Sequence, residues 1–177
     1  MNACAWSGAA RPDMTIRKMR FRNAREEPAV TFSLTEWFYV ALGLLSIAAL
    51  LYFNRGLLRG GISALEIVYY LAAAAGLLIG WYFNFQYLRE YGTQAGWAHW
   101  TRLLFVNPAS ASGGQDLIIA NVVLYPLWTI VDGRRVGLRA SGLFFFMSLL
   151  TSYAFAVALY LGLRERRLRT ASPPRVA

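Results

Sequence analysis

The chain is polar and arginine-rich through Pro28, then alternates long uncharged stretches with short arginine-bearing ones. Asp, Glu, Lys and Arg are absent from Trp37 to Asn54, Ile67 to Leu88, Leu117 to Val131 and Ala140 to Leu163. A helix rises about 1.5 Å per residue and the hydrocarbon layer is about 30 Å thick, so about 20 apolar residues make one crossing. The second and fourth stretches are long enough as they stand. The first gains length from Phe32 to Thr35 and has Trp37, Tyr39 and Tyr52 to place at its interfaces. The third covers only about 22 Å. It must recruit residues upstream of Leu117, which draws Asp116 inside the boundary.

The pattern predicts an all-α integral membrane bundle with four transmembrane helices, at about 34–54, 64–88, 110–131 and 140–163. A disordered basic arm at about 1–30 and a disordered tail at about 170–177 flank it. The arm offers Met14 and Met19 as alternative starts. No signal peptide is expected, because the first apolar run is followed by NRGLLRGG rather than a small-residue cleavage site. The connection Asn54 to Ser63 has turn composition. In the longest connection, Arg89 to Gln115, Trp97, Trp100 and Leu104 repeat at helical spacing away from Thr93, Gln94, His99 and Arg102. That predicts a short amphipathic helix lying in the membrane interface, at about 93–106.

Composition sharpens this picture. The 177 residues are 57% hydrophobic and carry a formal net charge of +9. All 18 basic residues but Lys18 are Arg, and they sit beside the apolar stretches. With no reading helix, zinc finger or ribonucleoprotein motif, nucleic acid is excluded as a partner. Across four spans the basic residues divide 13 against five, which puts both termini in the cytoplasm, in a plasma membrane. The cluster Arg134, Arg135, Arg139 then lies outside, against the rule. Cys4 and His99 are each single, so a His/Cys metal cage is excluded. His99, between Trp97 and Trp100, is expected as an interfacial polar residue.

Asp116 has two readings. In one, Ser112 and Gln115 form a capping box and Asp116 occupies the first turn, where the helix dipole favours an anion. In the other, the connection Asn107 to Gln115 dips inward and Asn107, Ser110, Ser112 and Asp116 line a polar pocket. Asn121, Tyr125, Trp128 and Asp132 share a stripe, about 140° from Asp116. Gly80, Asn84, Tyr87 and Tyr91 form a stripe on the second helix, and Ser148, Ser152 and Phe155 on the fourth. Such residues serve as interhelical hydrogen-bonding glue or line a cleft. No nucleophile elbow, P-loop, dinucleotide fingerprint or triad is present. Acid chemistry by Asp116, with Glu66, on an isoprenoid-like substrate is the enzymatic alternative.

YFNFQYLREYG, NPASASGGQD, DGRRVGLR and LRERRL occur in that order. In them the chain resembles a family of small multi-pass membrane proteins of bacteria, cyanobacteria and algae, catalogued as domain of unknown function 2834, over roughly residues 67–168. The resemblance implies a three-helix core, to which the first span is an addition, and implies no activity. It points to Asn84, Asn107 and Asp116. Asp132 replaces a frequent Glu, and AVALYLG lacks a Pro found near the end of the last helix in similar proteins. The expected function is a non-enzymatic one, as an accessory subunit of a larger membrane complex or a binder of a carotenoid, quinone or lipid. Asn84, Asn107, Ser110, Asp116 and Asn121 are the candidate ligand residues. No cofactor is identified. A small oligomeric transporter or channel is a further alternative.

Overall fold

A computed structural model of the protein describes residues 32–171. The basic arm predicted for 1–30, and the tail beyond Ala171, lie outside the described residues. Within them the chain is helical throughout, with no strand. Helix α1 (Leu34–Phe53) opens on a capping box: Ser33 Oγ accepts from the Glu36 N–H at 3.2 Å, and Glu36 Oε2 accepts from the Ser33 N–H at 2.7 Å. Helix α2 (Ala64–Tyr91) is capped by Ser63, and the short α3 is Trp97–Leu103. Helix α4 (Pro108–Ile118) starts at Asn107, whose side chain accepts from the Ser110 N–H, with Pro at the first turn where a missing N–H costs nothing. A π-helical turn, Ile119–Leu124, joins α4 to α5 (Tyr125–Val136). Helix α5 stops at Gly137, left-handed at φ 79°. Helices α6 (Leu143–Leu150) and α7 (Tyr153–Ala171) follow.

Among the described residues, three helical stretches are long and apolar enough to cross a membrane: Leu34–Phe53, Ala64–Gln94 and Pro108–Val136. Their large apolar side chains face outward far more often than inward. Leu34 is 88% exposed, Leu78 69% and Leu71 66%, while Glu36 and Glu66 are buried.

The fourth predicted span, 140–163, is not one helix. It breaks at Thr151 (φ −122°, ψ −93°), and α7 doubles back along α6. The Phe144 and Tyr160 rings meet edge to face with centroids 5.0 Å apart. A continuous helix would separate these residues by about 24 Å. Hydroxyls permit the break. Thr151 donates back to the Met147 carbonyl, and Ser152 Oγ accepts from the Phe155 N–H, so α6 ends and α7 starts without glycine or proline.

Pairings along the helices fix the directions. Glu36 meets Arg89 and Asn54 meets Arg139, so α1 is antiparallel to both α2 and α6. Gly76 lies against Phe155, Gly162 against Tyr70, and Glu66 against Arg166, so α7 is antiparallel to α2. The hairpin α6–α7 therefore enters from the Glu66 end of the bundle, reaches Gly43 about midway along α1, and returns to the Glu66 end. Close approach to α2 depends on small residues. A Cβ on Gly76 would lie 2.8 Å from the Phe155 nitrogen, and one on Gly80 2.5 Å from Ser152 Cβ.

Two consequences follow. Phe32, packed on Phe85, and Arg169, bonded to Glu66, sit at opposite ends of the described bundle. Arg134, Arg135 and Arg139 come to the same end as the arginines of α7, which removes the conflict in the charge count. The core gathers on the hairpin: Phe144, Met147, Phe155, Tyr160 and Leu163 are buried, with Tyr125 against them.

Candidate functional site

The hairpin fills only the half of the bundle toward Glu66. Beyond its tip, toward Arg89, lies a cavity of about 210 Å³. Its floor is the broken backbone from Ser148 to Tyr153. Trp81, Asn84, Phe85 and Leu88 of α2 form one wall, Leu117 and Asn121 the wall opposite, and Trp97 and Trp100 of α3 a rim.

Carbonyls released by the break are taken up by side chains. Asn84 Nδ2 donates to the Thr151 carbonyl at 3.1 Å and Trp81 Nε1 to Leu150 at 3.4 Å, while Ser152 Oγ of the tip donates in turn to the Gly76 carbonyl of α2 at 2.8 Å. Across the cavity Ser148 Oγ donates to Asn121 Oδ1 at 2.8 Å. These bonds spend the Asn84 amide N–H and the Asn121 carbonyl, leaving Asn84 Oδ1 as an acceptor and Asn121 Nδ2 as a donor. The lining has no ionisable carboxylate, lysine or arginine. It can hold a neutral, flat group with hydrogen-bonding edges.

Of the five candidate ligand residues, the fold brings Asn84 and Asn121 to this cavity. Asn107 caps α4, Ser110 provides the N–H it caps, and neither lines the cavity. Because α4 starts at Asn107, Ser112 caps nothing and Asp116 falls in the third turn, not the first. Its carboxylate is exposed and accepts from its neighbour Gln115 Nε2 at 3.2 Å. Neither sequence reading of Asp116 matches that position.

The stripes fare better. Asn121, Tyr125, Trp128 and Asp132 all face the hairpin: Asn121 meets Ser148, Tyr125 meets Tyr153, Trp128 meets Tyr160, and Asp132 takes Tyr160 and Arg164. Along α2, Gly80 and Asn84 face the tip. Tyr87 and Tyr91 pack on His99, whose Nδ1 lies 3.0 Å from Tyr87 Oη. Among the described residues no cluster of three His, Cys, Asp or Glu could hold a metal.

Sequence reasoning missed the tip. Ser148, Thr151 and Ser152 stand in an uncharged run, and the only signal was the density of hydroxyls, S-x-x-T-S. It also missed the ion pairs that close the two ends of the bundle, Glu36–Arg89 at 2.7 Å at one and Glu66–Arg166 at 2.7 Å with Asp132–Arg164 at 2.6 Å at the other.

Residues 68–166 match a family described as protein of unknown function DUF2834. The match covers more than half of the chain, which belongs to this family. It runs from the second turn of α2 to Arg166, takes in the whole cavity floor, and leaves α1 outside. No curated protein and no solved structure matches the chain.

Proposed function

We propose that the protein is a non-enzymatic integral membrane protein. In this reading it crosses the bilayer three times, with α1, α2 and α4–α5, and inserts α6–α7 as a re-entrant hairpin. The cavity over the hairpin tip binds the neutral head of a lipophilic molecule. The outward apolar side chains support the membrane reading, since lipid is the solvent that tolerates them. Helix α3, with its exposed tryptophan, is the interfacial element. The Glu66 end holds Arg55, Arg59, Arg134, Arg135, Arg139 and the α7 arginines, against Arg89 and Arg102 at the other. Among the described residues the positive-inside rule therefore puts the Glu66 end in the cytoplasm and the cavity on the far side.

The observation that carries the ligand reading is the broken backbone at the tip. Irregular backbone at membrane depth persists only where protein or a polar cavity satisfies it, and here both do. A volume of about 210 Å³ takes one ring system rather than a whole drug-sized molecule. The ligand's tail then lies in lipid, and a quinone fits that description best. Trp81, Trp97 and Trp100 give the test a reporter. Titration of the detergent-purified chain with decylubiquinone should quench tryptophan fluorescence saturably, and N84L and N121L should each weaken binding at least tenfold. Extracts free of pigment, quinone and lipid, together with unsaturable quenching, would sink the reading. The half-depth hairpin also favours a second one, a solute path through an oligomer, for which flux into proteoliposomes is the assay.

A further inference from the structure

The Glu66 end has its own cavity, of about 960 Å³, unconnected with the ligand reading above. Three segments far apart in sequence meet there: the end of α1 with its following turn, the α5–α6 connection, and the last turns of α7. Each brings arginine. Arg55 and Arg59 come from the first, Arg139 from the second and Arg167 from the third. Among the described residues no carboxylate pairs with any of the four, and none lines the cavity. The nearby acids Glu66 and Asp132 are spent on Arg166, Arg169 and Arg164.

The walls are built, not incidental. Asn54 is buried; its Nδ2 donates to the Arg139 carbonyl and its Oδ1 accepts from the Arg139 N–H, both at 3.0 Å, which clamps the α5–α6 connection onto α1. Gly137 stands at positive φ, where a Cβ would come within 2.9 Å of Arg167 Nη2, so glycine is what admits that guanidinium. Arg167 Nε donates to the Val136 carbonyl at 3.0 Å, and the Arg55 guanidinium lies 4.8 Å from the Tyr52 ring centre. Four cations held together with no anion repel one another, and a bound anion removes that cost.

We infer that this cavity is a binding site for a phosphate group, presented by the head of an anionic phospholipid or by a free phosphate. Guanidinium pairs with phosphate oxygens by parallel N–H donors, and basic recesses between helices at the cytoplasmic face are where anionic head groups bind.

The test uses the full chain in non-ionic detergent, titrated with dihexanoyl-phosphatidylglycerol, dihexanoyl-phosphatidylcholine and inorganic phosphate while thermal stability is read. Phosphatidylglycerol or inorganic phosphate should stabilise saturably. Phosphatidylcholine should act at least tenfold more weakly. If the lipid saturates first and phosphate competes poorly, the source is a lipid; if phosphate saturates alone and blocks the lipid, it is the free anion. R59Q/R139Q should weaken binding at least tenfold and R59K/R139K by less, because lysine keeps the charge but not the paired donors, whereas R102Q at the opposite end should stay within about threefold. If the glutamine variant does not fold, the lysine variant and the contrast between the two lipids decide. Equal response to both lipids, no saturation by either phosphate probe, or wild-type binding by a folded R59Q/R139Q overturns the inference.

Discussion

The α6–α7 hairpin makes a sharp prediction through Glu66 and Arg166. The Glu66 side chain is fully buried, the Arg166 side chain is 8% exposed, and Arg166 Nε donates to Glu66 Oε2 at 2.7 Å. Arg166 Nη2 is buried without a partner, so the pair is imperfectly satisfied even when intact. Glu66→Gln removes the charge that balances a buried guanidinium and should cost about 3–5 kcal/mol. Arg166→Met should cost less, about 1–3 kcal/mol, because Arg169 still donates to Glu66. Additivity would put the double variant at about 4–8 kcal/mol. Removing both charges instead exchanges a poorly satisfied pair for groups that need less, so the double variant should sit within about 2 kcal/mol of wild type. The coupling is then at least about 2 kcal/mol. Unfolding by SDS in mixed micelles, followed by circular dichroism, measures all four proteins. Were 140–163 one crossing helix, Arg166 would lie at the far end of the bundle, about 30 Å from Glu66. Additivity within about 0.5 kcal/mol would then be found, and would refute the hairpin.

Gly80→Ala should destabilise by about 0–2 kcal/mol, the net of about 1–3 kcal/mol of overpacking against Ser152 and about 1 kcal/mol of helix propensity returned; the same micelle assay checks it, and Gly80→Leu should prevent folding. Asn107→Ala removes the α4 cap and should cost about 1 kcal/mol. Asp116→Asn should leave stability unchanged, its carboxylate being exposed and bonded only to Gln115. If Asp116→Asn proves the more damaging of the two, the assignment of the cap is wrong. In a Cys4→Ser background, cysteines at Ser33 and Thr170 should react with an impermeant maleimide from opposite sides of the membrane. Labelling of both from one side would restore an even number of crossings.

Local patterns carried far in this protein. Ser33 with Glu36, Ser63 before Glu66, and Asn107-Pro108 start their helices through bonds made within four residues, so these starts were open to a local reading, although the cap expected for the third was Ser112. The stripes of α2 and α5 likewise follow from helical spacing alone; the α5 stripe faces the hairpin throughout, and the α2 stripe does so at Gly80 and Asn84 before Tyr87 and Tyr91 turn to His99. What could not be read was which face of the bundle the last apolar run ended on. An uncharged run of that length is compatible with one crossing or with two halves back to back, since hydropathy counts residues and not direction. Asp116 misled for a related reason: its depth was inferred from a straight helix beginning at Ser112, whereas Asn107 starts the helix and the π turn at Ile119–Leu124 changes its phase.

The sequence by itself determined the helical class, the apolar exterior and the existence of the segments, because each depends on residues adjacent in the chain and on the solvent they meet. Only the tertiary structure decided that Thr151 and Ser152 form a turn, because the carbonyls opened at Leu150 and Thr151 accept from Trp81 and Asn84 of another helix, whose glycines let the turn come close. It alone gathered Arg55, Arg59, Arg139 and Arg167, which lie up to 112 positions apart, into one cavity. Electrostatics acts through space, and the hairpin is what makes those positions neighbours.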